Sequence, residues 1–157
     1  MTEKREKVKL NQSIIDQLKT EFIDELNKCN KYPIKTLEDL NNIDYQKNNG
    51  AVYFIYATKN GKTKLRYIGK SKGNSLKSRF KSHFFGIGKG TVSRFQTVCN
   101  YRENGCEFFV KIVWTNPQSL RNLLEEIFID EFRSKENLWN GKKLLTTTYI
   151  AHSWSVT

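Results

Sequence analysis

Residues 51–69 read AVYFIYATKNGKTKLRYIG, two β-branched and aromatic runs on either side of Asn60-Gly61. An Asn-Gly pair between strand-forming runs is the strongest short-range hairpin signal, because both residues accept the positive φ of a tight turn. We therefore predict two antiparallel strands here. The run CEFFVKIVW at 106–114 has the same composition and predicts a third strand.

Helical patterns surround these strands. Apolar residues at helical spacing, or start signals, predict helices over 11–29, 76–85, 91–102 and from Asn116-Pro117 to about Ser134. Thr36 is a candidate cap for a shorter piece, LEDLNN. The order β, β, α, α, β, α predicts an α+β fold, with a small three-stranded antiparallel sheet flanked by helices and an N-terminal helical extension.

Composition limits the classes of protein that this chain can be. A length of 157 residues with 38% hydrophobic residues suits one folded domain. Apolar runs stay well short of the roughly 18 residues that cross a bilayer, so no membrane segment is expected. Three cysteines at unrelated spacings and two histidines favour reduced thiols in a cytoplasmic protein over a disulfide framework or a zinc cluster.

Charge is distributed unevenly along the chain. From Tyr45 to Arg102, 58 residues include thirteen Lys or Arg and no Asp or Glu, although the whole chain has 16 acids. An even distribution would place about six acids in such a window. The surface that this window forms should be positive, and the commonest partner of such a surface is a nucleic-acid backbone. A solubility charge is the alternative, and an anionic membrane fits less well.

Two positions on the predicted helices stand out for their geometry. Arg79 and His83 lie four residues apart and share one face of a helix, an arrangement that suits an anion between them but also arises by accident on a surface. Glu125 shares a face with apolar residues and Glu126 with polar ones. Glu125 is therefore the acid expected to approach the interior, as a partner of Arg121 or as an oxygen ligand for a hard divalent cation.

These segments resemble the GIY-YIG nuclease superfamily. Ala51-Val52-Tyr53 stands for GIY, Tyr67-Ile68-Gly69 for YIG, and Leu76-x-x-Arg79-x-x-x-His83 follows on a helix. Residues 125–140, EEIFIDEFRSKENLWN, resemble the glutamate-to-asparagine segment of phage homing members. The resemblance covers about residues 50–141 and departs from the family at Ala51, where the pattern has glycine. The implied division is an N-terminal helical extension at 1–49, a catalytic domain at 50–141 and a C-terminal extension at 142–157.

The resemblance implies a role for each matching tyrosine and basic residue. Tyr53 would accept the proton of the attacking water, and Tyr67 would line the site beside the scissile phosphate. Lys70, with Arg79, would lower the pKa of Tyr53 from its ordinary value near 10. Arg79 would stabilise charge on the phosphate, and His83 would hydrogen-bond Tyr53 or receive its proton.

The resemblance also implies a metal and a substrate. Glu125 would be the sole protein ligand of one Mg²⁺ or Mn²⁺ per active site, and Asn140 would be a supporting residue. Hydrolysis of double-stranded DNA would leave 5′-phosphate and 3′-hydroxyl ends. Other nuclease classes fit poorly, because the chain contains no Asp/Glu-x-Lys tripeptide.

The biological role has three candidates. A short chain is similar to the family's type II restriction enzymes, which cut specific sites and commonly act as homodimers or higher oligomers. The N-terminal extension would then serve DNA binding or oligomerisation. A phage or mobile-element nuclease is the second candidate, and a DNA-binding module without catalysis is the third.

Overall fold

The computed structural model describes residues 9–88 and 94–141. Predictions for 1–8, for the loop and helix start at 89–93 and for the extension at 142–157 lie outside the described residues. The elements, in chain order, are α1 Gln12–Lys28, β1 Tyr32–Pro33, a 3-10 helix Leu37–Asn42, β2 Gly50–Lys59, β3 Lys62–Lys72, a 3-10 turn Gly73–Ser75, α2 Leu76–Phe85, α3 Phe95–Glu103, β4 Glu107–Thr115 and α4 Leu120–Arg133.

The sheet is antiparallel and has the order β1-β4-β2-β3. The predicted α+β class is confirmed, but the prediction of three strands is wrong by one. The fourth, β1, has two residues and pairs Tyr32 with Val110 at the edge of β4. A two-residue strand is too short to show an alternating pattern, and Pro33 is tolerated there because an edge strand can lack an N–H donor.

The hairpin predicted over residues 51–69 is present. Asn60 and Gly61 have φ values of 51° and 74°, which a tight hairpin turn requires. Along the hairpin, Tyr53 pairs with Gly69 and Ile55 with Tyr67. A register shift after Ile55 leaves Arg66 as the extra residue of a β-bulge in β3.

Helices cover both faces of the sheet and enclose two cores. One core, on the face of Tyr53, contains Phe80 and Phe84 of α2 with Val98 and Tyr101 of α3. The other core contains Leu26 of α1, Phe54 of β2, and Leu124 and Phe128 of α4. After α4 the chain crosses to β3, with Leu138 in the second core and Trp139 in the first.

The helices differ from their predicted limits mainly at the start of α4. Asn116-Pro117 is not its cap: α4 begins at Leu120, after Ser119. The preceding backbone bonds, Leu120 N–H to Pro117 O and Arg121 N–H to Gln118 O, span three residues and form a turn rather than an α-helix. The segment 76–85 is helical over its whole predicted length.

Candidate active site

Tyr53 lies at the centre of the site on β2. Its side chain is fully buried, and its ring packs edge-on against Phe80 with centroids 5.1 Å apart. A Cβ on Gly69, the residue opposite, would overlap the Tyr53 ring. The glycine of the Tyr67-Ile68-Gly69 segment is therefore required by the ring that crosses it, and the hairpin pairing sets the position of the Tyr53 hydroxyl.

His83 holds that hydroxyl from α2. The Tyr53 Oη lies 2.9 Å from His83 Nε2, and the backbone N–H of Arg94 donates to His83 Nδ1 at 3.1 Å. Because Nδ1 accepts a hydrogen, the hydrogen-bond pattern assigns the ring proton to Nε2. Burial, with the nearby cations Arg79 and Arg94, lowers the pKa of His83 to about 3. His83 is therefore neutral at pH 7, and its Nε2–H donates to Tyr53.

The pKa of Tyr53 moves in the direction opposite to the one predicted. Burial raises it above its ordinary value, and Tyr67 raises it further, while the charge and hydrogen bond of Arg79 lower it. The expectation that surrounding cations bring this pKa down was wrong. The loss of hydration around a fully buried phenolate outweighs the attraction of one neighbouring guanidinium.

Arg79 lies beside Tyr53 on the face of α2 that it shares with His83. Burial lowers the pKa of its guanidinium, but Tyr53, Tyr67 and the Glu125 carboxylate outweigh that effect, and the net shift is upward. Its Nε is buried and has no hydrogen-bond partner among the described residues. The side chain is thus a cation held at the site with an unused donor.

Tyr67 completes this group. Its ring centroid is 6.1 Å from that of Tyr53 and 5.4 Å from that of His83. The guanidinium of Arg94 lies over the Tyr67 ring, 5.2 Å from its centroid. Tyr67 is therefore enclosed by two aromatic rings and one cation, and only 6% of its surface is exposed.

Glu125 and Lys70 form a second part of the site. Lys70 Nζ lies 3.5 Å from Glu125 Oε1, so the lysine that was expected to act on Tyr53 pairs with the carboxylate instead. Burial raises the pKa of Glu125 and the ammonium of Lys70 lowers it, with a net upward shift. Glu125 is half-buried and Glu126 is exposed, as helical phase predicted. Arg79, attracted to Glu125, links this pair to Tyr53.

The donors present fit one hard divalent cation. Among the described residues no group of three or more His, Cys, Asp or Glu side chains could hold a metal ion. Glu125, half-buried beside Lys70 and Arg79, offers a carboxylate oxygen. One carboxylate is compatible with Mg²⁺, which commonly binds one or two carboxylates and takes its other ligands from water and substrate phosphates.

Asn140 lies at the edge of the sheet, apart from the tyrosines. Its side-chain NH₂ donates to Ile68 O at 2.7 Å, and its Oδ1 accepts from Ile68 N at 3.0 Å. The N–H of Trp139 donates to Arg66 O at 2.6 Å. These bonds satisfy part of the outer edge of β3, the strand that carries Tyr67 and Lys70.

Sequence reasoning missed Arg94. It contacts both His83 and Tyr67, yet it follows the segment 89–93 and has no periodic neighbours that distinguish it from the other twelve basic residues of the acid-free window. Its position depends on how α3 packs against α2, which local sequence does not encode.

Comparison with known proteins gives one positive finding. The sequence profile of the GIY-YIG catalytic domain matches residues 49–138. Searches of curated proteins and of solved structures gave no match. Over the described residues, the helices are too short or too polar to cross a membrane.

Proposed function

This chain belongs to the GIY-YIG family, because the catalytic domain of that family matches 90 of the chain's 157 residues, and we propose that the chain is a site-specific, metal-dependent DNA endonuclease. Family membership makes it a nuclease with DNA as substrate. The finer proposal is hydrolysis of phosphodiester bonds in double-stranded DNA, leaving 5′-phosphate and 3′-hydroxyl ends, with one Mg²⁺ or Mn²⁺ per active site.

The observation that carries the proposal is the hydrogen-bonded arrangement around the Tyr53 hydroxyl. Neutral His83 donates to Tyr53 Oη, and Arg79 lies beside the same oxygen. Both groups stabilise negative charge on that oxygen, so they favour the phenolate that can take a proton from water. Donation by His83 supports Tyr53 as the proton acceptor, with His83 as the group that orients it.

Arg79 supplies the charge that phosphodiester hydrolysis requires. Its buried Nε has no partner among the described residues, and its positive charge is retained because its pKa is raised. A guanidinium so placed donates to a phosphate oxygen as charge develops there in the transition state. A donor of this kind contributes most where water is excluded, as beside the buried Tyr53.

Glu125 would hold the divalent ion, with Lys70 keeping the carboxylate in place through their ion pair. The ion would supply Lewis acidity at the phosphate and stabilise the leaving 3′ oxygen. The raised pKa of Glu125 means that the carboxylate binds protons more readily than usual at low pH. Activity should therefore fall in acid, as protons compete for the metal ligand.

The proposal extends to specificity and assembly. We assign the chain to the restriction-like, site-specific members, acting as a homodimer or higher oligomer, with the N-terminal helical extension as the surface for DNA or for a second copy. A phage or mobile-element role differs in where the enzyme cuts rather than in its chemistry. Cut-site sequences therefore separate the two.

A plasmid-cleavage assay tests the catalytic proposal. Wild type, Glu125→Ala, Arg79→Ala and the matched control Glu126→Ala are incubated with supercoiled plasmid and Mg²⁺ or Mn²⁺. Wild type and Glu126→Ala should cut, and the other two should lose on the order of 10²-fold or more in rate. If wild type binds DNA and does not cut, the chain is a DNA-binding module.

Sequencing the ends of digested DNA tests the finer proposal. One short motif repeated at the cut sites is expected, with ends that a ligase joins directly because they carry 5′-phosphate and 3′-hydroxyl groups. Scattered cut sites would contradict the restriction-like assignment while leaving the nuclease intact.

A further inference from the structure

Arg94 is a partly exposed cation beside the site, with a buried donor that is unused among the described residues. Its guanidinium lies over the Tyr67 ring at 5.2 Å from the centroid. Its Nε is buried and has no hydrogen-bond partner among the described residues. The ion pairs among the described residues do not include Arg94. They join Lys19 and Lys135 to Glu131, Lys35 to Glu107, and Lys70 to Glu125.

The position of Arg94 is held by its backbone, independently of its side chain. Its N–H donates to His83 Nδ1 at 3.1 Å, and its carbonyl accepts from Val98 N at 2.9 Å in the first turn of α3. The side chain therefore starts from a fixed point next to His83. This arrangement separates two roles, because a substitution at Arg94 removes the guanidinium and leaves the amide that orients His83.

Arg79 and Arg94 together form a pair of like charges around His83. Both cations lower its pKa, and in both the Nε is buried and has no hydrogen-bond partner within residues 9–88 and 94–141. Two guanidinium groups without a shared carboxylate repel each other, and burial of their donors adds a cost. Anions that accept from each guanidinium remove that cost, and the successive phosphates of a DNA strand present oxygens in the geometry that arginine binds best.

We propose that Arg94 is a second phosphate-binding arginine, whose guanidinium donates to a phosphate of the DNA strand that passes over Tyr67. The inference rests on the proposed function, because it takes the DNA strand as its ligand. Arg79 then contacts the phosphate at Tyr53, and Arg94 contacts the strand on the Tyr67 side. The contact of the guanidinium with the face of the Tyr67 ring keeps the cation on that side of the site.

Binding without divalent ions tests this contact apart from cleavage. Affinity of the full chain for a 20-bp duplex is measured at several salt concentrations for wild type, Arg94→Ala, Arg94→Lys and the control Arg133→Ala, an exposed arginine at the end of α4. Arg94→Ala should bind roughly 3- to 10-fold more weakly and reduce the salt slope by about one. Arg94→Lys should keep the slope, and Arg133→Ala should match wild type.

Neutral phosphates locate the contact. A single methylphosphonate is moved along the duplex, and its penalty is measured in wild type and in Arg94→Ala. At one phosphate, the loss of affinity that the methylphosphonate causes in wild type should disappear in Arg94→Ala, because the guanidinium that binds this phosphate is already absent. Equal penalties at every position, or an unchanged salt slope, would overturn the proposal. So would loss of the Nε2–H tautomer of His83 in Arg94→Ala, read from its ring ¹⁵N pattern, since it would show that the side chain holds the His83–Tyr53 arrangement.

The two proposals fail separately. A wild type that never cuts plasmid contradicts the proposed function, while the salt slope and the methylphosphonate series still decide whether Arg94 holds a phosphate. A wild type that cuts, with Arg94→Ala cutting at the same rate and binding with the same slope, contradicts the role of Arg94 alone.

Discussion

Tyr53 is subject to two opposing effects. His83 and Arg79 direct a hydrogen bond and a positive charge at its hydroxyl, which favours the phenolate, and complete burial favours the phenol. Burial prevails, so the pKa lies above its usual value near 10 and the residue is protonated at pH 7. A base in this state acts through a small phenolate fraction, and that fraction grows about tenfold for each unit of pH.

The pH dependence of cleavage follows from the upward shift of the Tyr53 pKa. With saturating metal and DNA, the logarithm of the single-turnover rate should rise with a slope near one up to at least pH 9. Tyr53→Phe should lose on the order of 10²- to 10⁴-fold in rate and keep DNA affinity, because the ring and its packing against Phe80 remain. Quenched-flow cleavage and fluorescence anisotropy provide the two measurements.

His83 is the alternative acceptor, and the same experiment separates it from Tyr53. If His83 took the proton, the rate would not change with pH above the pKa of His83, about 3, and Tyr53→Phe would cut normally. The pKa of about 3 and the donor role of Nε2 both oppose that outcome.

β3 is an edge strand whose outer side is closed by a side chain instead of a further strand. Asn140 bonds both backbone groups of Ile68, between the residues that define the site on this strand, Tyr67 and Gly69. An isosteric change, Asn140→Asp, replaces the donor with a carboxylate oxygen that faces the Ile68 carbonyl. The free energy of unfolding should fall by about 1–3 kcal/mol, and the Ile68 amide should exchange faster with solvent.

The exposed Asn30 provides a matched control for the strand. Asn30→Asp makes the same chemical change away from β3 and should alter the free energy of unfolding by less than about 0.5 kcal/mol. Denaturant titration and hydrogen exchange measure both variants. In Asn140→Asp, the cleavage rate should fall together with the protection of the β3 amides from exchange. If the Ile68 amide exchanges at the wild-type rate in Asn140→Asp, Asn140 does not stabilise this strand.

Elements encoded by neighbouring residues were predictable, and those set by distant contacts were not. Asn60-Gly61 fixes the hairpin, and the spacing of Leu76, Phe80 and Phe84 fixes α2, so both were found from the sequence. The strand β1 exists through pairing with β4, some 75 residues away, and carries no pattern of its own. The late start of α4 depends on turn hydrogen bonds among residues 117–122. The prediction relied on Asn116 and Pro117 alone, and these two residues do not determine those bonds.

The site shows the same division. Arg79, His83 and the preference for Glu125 over Glu126 follow from helical phase, whereas the roles of Tyr53 and Tyr67 came from the family pattern. The pairing of Lys70 with Glu125 and the contacts of Arg94 depend on tertiary packing. The pKa of Tyr53 was predicted with the wrong sign because sequence reports the charges near a residue and not its burial.

The N-terminal helix is joined to the catalytic part by a core. Phe22 packs edge-on against Phe128 of α4, with ring centroids 6.4 Å apart, and Lys111 of β4 donates to Leu26 O at 3.1 Å. Leu26 and Phe128 belong to the same buried cluster as Phe54 of β2. The helix therefore covers the face of the sheet opposite Tyr53.

Two apolar residues on α1 test whether the helix and the site unfold together. Leu26 is 4% exposed and Ile14 is 48% exposed. Leu26→Ala should lower the free energy of unfolding by about 2–4 kcal/mol, and Ile14→Ala should change it by less than about 0.5 kcal/mol. Helix content by far-ultraviolet circular dichroism and site packing by tyrosine and tryptophan fluorescence should give one shared transition in Leu26→Ala, because the second core links α1 to α4, which carries Glu125. Two separated transitions, with cleavage preserved after the first, would instead make α1 an independent extension and the core contact incidental to the site.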